Sequence, residues 1–178
     1  RAFSAADMAP IQACIEQYLG GRYGLEVLVR GPQELRADPD YAEVRVDKWQ
    51  ISVVTAPGRP DVPRQRIKIE IANLPAYTRE PRPLVQNYDF LPDGYGDLLV
   101  LTESLSEIMA DKLVSLVNCQ RYVRYRDIWD LRWLAQQGAV PDAALLQHKL
   151  QDYRVEDYLP KLRSMVQHLP DIVHGKPF

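Results

Sequence analysis

The chain is poor in several things that would narrow its chemistry quickly. It has two cysteines in 178 residues, Cys14 and Cys119, and neither sits at metal-ligand spacing. That excludes a disulfide framework and a structural zinc site, and leaves both as small core residues. Such sparse cysteine fits a reducing cytoplasm. No apolar run approaches the roughly 20 residues of a membrane span, and no signal peptide is visible. Net charge is −2 and the isoelectric point about 5.9, so no global basic field marks a large nucleic-acid footprint. Walker loops, nucleophile elbows, dinucleotide fingerprints and repeats are missing. The three histidines, His148, His168 and His174, are spread over the C-terminal part and take no assigned role.

What remains is 46% apolar and 26% charged residues, the profile of a globular domain. A chain of this size buries roughly 70% of its unfolded surface and needs no covalent staple. Ser4 and Asp7 form a helix-start pattern, and Met8, Ile11, Ile15 and Leu19 follow at helical spacing until Gly20-Gly21. Leu25–Val29 reads as a strand. Residues 44–54 are also β-rich, with a change of phase near Asp47-Lys48 that predicts a bulge or tight turn. Residues 65–72 alternate most clearly: Ile67, Ile69 and Ile71 on one side, Arg66, Lys68 and Glu70 on the other. Residues 73–97 read as a long irregular connection and 98–101 as a short strand. Helices are predicted at about 104–118, 122–137, 142–152 and 155–168, with a loose tail after Leu169. The order predicts an α+β fold, divided into an α/β region over 1–103 and a helical region over 104–178 that form one compact unit.

Three segments place charge against or inside apolar patterns. In Gln-Arg-Ile-Lys-Ile-Glu-Ile (65–71), Lys68 and Glu70 share a strand face. That face is either solvated and ion-paired across strands, or aims a metal-binding carboxylate and a phosphate-binding lysine at a cleft. In Ser-Glu-Ile-Met-Ala-Asp-Lys-Leu (106–113), Lys112 emerges within the stripe of Leu105, Ile108, Met109, Leu113 and Leu116. It either snorkels to water or is held by packing toward a triphosphate. In Tyr-Arg-Asp-Ile-Trp-Asp-Leu (125–131), Asp127 lies at the edge of a face defined by Ile128 and Leu131, with Asp130 one turn on. It is either a helix-dipole partner or part of an ion pair that positions a base. Arg121, Arg124, Arg126 and Arg132 alternate there with Tyr122, Tyr125, Trp129 and Trp133, a pattern shared by nucleic-acid-binding and ordinary amphipathic helices.

Lys-Ile-Glu-Ile (68–71), Glu-Ile-Met-Ala-Asp-Lys-Leu (107–113) and Arg-Asp-Ile-Trp-Asp-Leu (126–131), in that order, resemble the AbiEii-type toxin nucleotidyltransferases of bacterial abortive-infection and toxin–antitoxin systems, over residues 25–137. The resemblance implies a polymerase-β-like mixed sheet followed by helices. It implies transfer of a nucleotide from an NTP to an acceptor, tRNA for several members, with Mg²⁺ or Mn²⁺. It also implies a cognate antitoxin, a cytoplasmic setting and a role in phage defence. Carried over, Glu70 is the third metal-binding carboxylate, and Lys112 the lysine on the nucleotide phosphates. Asp127 is the catalytic-motif aspartate, with Lys68, Arg126 and Asp130 in nucleotide-binding support. The family's first motif, a Gly-Ser turn leading to an Asp-x-Asp strand, is not recognised in this chain. Because the chain opens on Arg1, the expectation is a family domain without its metal-binding front end, inactive as it stands. Two rivals stand beside the enzyme: a non-catalytic binding module for an antitoxin or nucleic acid, and a structural domain whose charges are plain ion pairs.

Overall fold

The structure, a computed structural model, describes residues 8–21, 24–32, 46–90, 94–119 and 122–175. The chain divides into two compact units, Arg1–Leu74 and Pro75–Phe178. The content is α+β, and every strand pairing among the described residues is antiparallel rather than mixed.

In the first unit, α1 (Met8–Ile15) runs into a π-helical turn over Glu16–Gly21. A three-stranded sheet follows in the order β1 (Val27–Arg30), β2 (Val46–Val53), β3 (Gln65–Ala72). Alternation sorts its two faces. Val29, Trp49, Ile51 and Val53 are buried, and Ile11, Ile15, Leu19, Ile69 and Ile71 pack against them. Helix spacing and strand period thus meet on one apolar seam. Ile67, expected on that seam, is 42% exposed. The bulge expected at Asp47-Lys48 does not exist. Register runs unbroken from Val46↔Ala72 to Val53↔Gln65. Asp47 simply occupies the buried side in phase with Trp49, because cross-strand pairing, not residue polarity, sets the phase. The start pattern at Ser4 and Asp7 lies outside the described residues.

The second unit begins with a hairpin-like pair, β4 (Glu80–Pro83) against β5 (Leu99–Thr102), with a 3₁₀ turn at Tyr95–Asp97. β4 lies inside the stretch expected to be irregular. Pro81 and Pro83 argued against a strand, but in a two-stranded sheet every strand has a free edge where proline is tolerated. Four helices follow: α2 (Leu105–Asn118), α3 (Tyr125–Gln136), α4 (Ala143–Asp152) and α5 (Tyr158–Gly175). α2 packs against each of the other three. Ser104 caps α2 by accepting from the Glu107 amide, and Asp142 caps α4 by accepting from the amides of Ala144 and Leu145. The tail expected to be loose after Leu169 is helical to Gly175. The half-buried positions Leu162, Met165, Leu169 and Ile172 keep helical spacing straight through Pro170, so the stripe continues although one backbone bond is lost.

Candidate functional site

Lys112, Asp127 and Asp130 come together where α2 meets α3. Asp127 is 1% exposed. It is not on the edge of the apolar face, as its spacing from Ile128 and Leu131 implied. Packing selects the stripe that carries buried Leu134, seven residues on, and Asp127 lies at the head of that stripe. A carboxylate this deep needs partners, and it has three. Lys112 Nζ donates to Oδ1 at 3.0 Å, Ser115 Oγ donates to Oδ2 at 2.9 Å, and Arg124 Nε donates to Oδ2 in a short bond. Burial pushes the Asp127 pKa up, but Arg124, Lys112 and Ser115 outweigh it, and the carboxyl sits below its ordinary value. A depressed, fully engaged carboxylate is a poor base and a good anchor.

Lys112 is held from a second side by Asp130 at 2.7 Å, and its side chain keeps 28% exposure. Burial lowers its pKa, but Asp130 and Asp127 together raise it, so the ammonium stays charged. Two of its three donors are taken by these carboxylates. Arg126 stands 91% exposed beside Asp130, at a loose 4.0 Å. Arg121 of the expected basic cluster lies outside the described residues. Tyr122, Trp129 and Trp133 of that cluster are 61%, 57% and 43% exposed and face solvent, whereas Tyr125 is half-buried.

A second cluster, which sequence reasoning missed, surrounds Lys149 of α4. Lys149 is 2% exposed and Glu107 is 0%. Its Nζ lies 2.7 Å from Glu107, 3.0 Å from Asp111 and 3.4 Å from Glu103. It also stands 5.5 Å over the Tyr77 ring, which stacks on His148 at 4.6 Å. Glu107 accepts from the amides of Tyr77 at 2.8 Å and Thr78 at 2.6 Å, and from the Thr78 hydroxyl. That hydroxyl in turn accepts from the Ser104 amide at 2.7 Å, so Thr78 completes a capping box that Glu107 alone would otherwise close. Burial pushes Glu107 up, but Lys149, Thr78 and the two amides override it and bring its pKa to about 2. Glu103 and Asp111 move the other way, raised chiefly by burial. Lys149 is pushed down by burial and further up by Glu107 and Asp111. The signal was there: Lys149 follows Leu145 by four residues and Leu146 by three, the same intrusion into an apolar stripe that singled out Lys112.

Glu70 and Lys68 belong to the first unit, on the sheet face away from α1. Register sets Glu70 opposite Lys48 and Lys68 opposite Gln50. Glu70 is 51% exposed and 3.7 Å from Lys48, a weak cross-strand pair of the kind the plain reading anticipates.

The family model described as nucleotidyl transferase AbiEii toxin, type IV TA system, matches residues 2–172. The chain belongs to the AbiEii family. Comparison with curated proteins and with solved structures gives no match. Among the described residues no helix is long and apolar enough to cross a membrane.

Nucleotidyltransferases such as the AbiEii family generally use a divalent metal, and the carboxylates can be tested for one. Glu103, Glu107 and Asp111 place ligand oxygens within 4.8 Å of one another. Lys149 already supplies the cation at their centre, so the trio is a lysine cage and does not fit a metal. Glu70 is accessible, but one carboxylate does not define an octahedral site. Asp38-Pro39-Asp40 has the bare letters of an Asp-x-Asp and lies outside the described residues. The described residues therefore do not assemble a two-metal centre.

Proposed function

We propose that the chain handles phosphate in an AbiEii nucleotidyltransferase, moving a nucleotide from an NTP to an acceptor hydroxyl, with tRNA as the acceptor. The acceptor oxygen forms a bond to the α-phosphorus, the α–β anhydride bond breaks, and pyrophosphate leaves. Lys112 sits against the departing phosphates and neutralises their growing charge. Asp127 is a positioning residue: buried and saturated with donors, it holds Lys112 rather than taking a proton. Asp130 braces the ammonium from the other side, and exposed Arg126 offers a second cation. Within the first unit taken by itself, Lys68 offers its charge to phosphate and Glu70 offers a carboxylate to Mg²⁺ or Mn²⁺. Membership of a type IV toxin–antitoxin family supports an antitoxin as protein partner and a role in phage defence in the cytoplasm.

The observation that carries this reading is a lysine fixed by a buried aspartate while 28% of its side chain stays exposed. The test is transfer from α-labelled NTPs to total tRNA by the full-length protein. Lys112→Ala should lower transfer by about 10²-fold or more with a melting temperature lowered by no more than about 4 °C. Undiminished transfer would remove Lys112 from the mechanism. No transfer by the full-length wild type with any NTP would favour the non-catalytic binding module instead.

A further inference from the structure

On the open face of the three-stranded sheet, beside Lys68 and Glu70, lies a hollow lined by arginines that the transfer chemistry does not use. Register lines up Leu28, Ser52 and Arg66 in one cross-strand row and Arg30, Gln50 and Lys68 in the next. Arg30, Gln50, Ser52, Arg64 and Arg66 line a cavity of about 290 Å³ there. Arg64 is matched by Glu26 at 3.6 Å and Lys48 by Glu70 at 3.7 Å. Arg30, Arg66 and Lys68 make no ion pair among the described residues and are all exposed. In a chain of net charge −2 this is a local concentration of cation. Like charges gathered on neighbouring strands repel, and an anion relieves that cost.

From this geometry we infer that the face docks the phosphodiester backbone of the acceptor RNA, a step that rests on the nucleotidyl-transfer reading for its purpose but not for its measurement. Three features select a strand over a single small anion. Arg30 and Lys68 stand on the outer strands, roughly 10 Å apart at the backbone, so one phosphate cannot satisfy both. The hollow is open to solvent and, at about 290 Å³, falls just short of the volumes that enclose a small ligand. The two rows carry no aromatic side chain, so bases have nothing to stack on. Contact is to backbone, and binding tolerates sequence.

The experiment is fluorescence anisotropy of a short, labelled, mixed-sequence single-stranded oligoribonucleotide with the full-length protein, titrated at several salt concentrations. Arg30→Ala with Arg66→Ala should weaken binding about tenfold and reduce the log–log salt slope by about 1.4, two single-strand contacts at about 0.7 each. Arg30→Lys with Arg66→Lys keeps both charges and should keep the slope. Excess ATP should not displace the RNA. An unchanged slope in the alanine pair overturns the inference, and displacement by ATP reassigns the cavity to the triphosphate. Lys112→Ala separates the two readings, since it should lose transfer and retain RNA binding. If the wild type transfers nothing while the arginine pair still controls RNA binding, only the transfer reading falls.

Discussion

Two lysines of the second unit intrude into apolar helix stripes, and they end in opposite states. Lys149 is sealed, with 2% exposure, and enclosed by Glu103, Glu107 and Asp111. Lys112 is gripped by Asp127 and Asp130 but keeps 28% of its side chain open. The first uses its charge inside the protein, tying α4 to α2 and to the chain at Tyr77 and Thr78. The second leaves charge for something outside. A charge in a packing face is thus not a functional signal by itself; what separates the cases is whether its partners consume every donor.

The contrast can be broken by substitution. Lys149→Ala leaves buried carboxylates without their cation and should cost about 3–5 kcal/mol, read from the urea midpoint. A loss as small as that of an exposed pair would mean the cage is slack. Acid probes the same cage. The Glu107 pKa falls from the ordinary 4.5 to about 2, so its stabilisation is complete above about 4.5 and is lost as pH falls toward 2. Glu103 and Asp111 are raised, so they take up protons first and relieve their own burial cost. Ellipticity should therefore hold through mild acid and fail late, with up to about 3 kcal/mol at stake; an early transition near the ordinary carboxylate range would refute the assignment. Asp127→Asn keeps the shape but removes the anion that anchors Lys112 and Arg124. It should cost about 1–3 kcal/mol and also depress transfer, checked by melting and by the labelled-NTP assay on one preparation. Lys112→Ala should cost least in stability, under about 1 kcal/mol, because its removal leaves Asp127 with Ser115 and Arg124. Equal destabilisation by the two lysine substitutions would erase the distinction.

Much of this architecture was legible in residue order. The α+β content, the helices and the opposed faces of β3 follow from period alone, and Lys112 stood out because its neighbours at three and four residues are apolar. Lys149 carried the same signature and was passed over, because no motif accompanied it. Asp127 was placed one step too shallow: the period offers two adjacent apolar faces on α3, and only packing against α2 selects the one containing Leu134. β4 was hidden by its prolines, whose prohibition applies to central strands. Asp47 imitated a bulge because a charged letter stood at a buried position. In each case the missing information was a partner distant in sequence.

Asp111 and Lys112 are consecutive in α2, yet one closes the Lys149 cage and the other meets Asp127. The helix therefore carries two addresses that share one frame. A single residue inserted between Glu107 and Asp111 would turn everything downstream by about 100°. Ser104 and Glu107 would stay seated, while Asp111 would leave the cage and Lys112 would swing off Asp127. The count of residues between the cage and the outward lysine is as constrained as their identity, so α2 can tolerate exchange of letters on its free face far better than any change in its length.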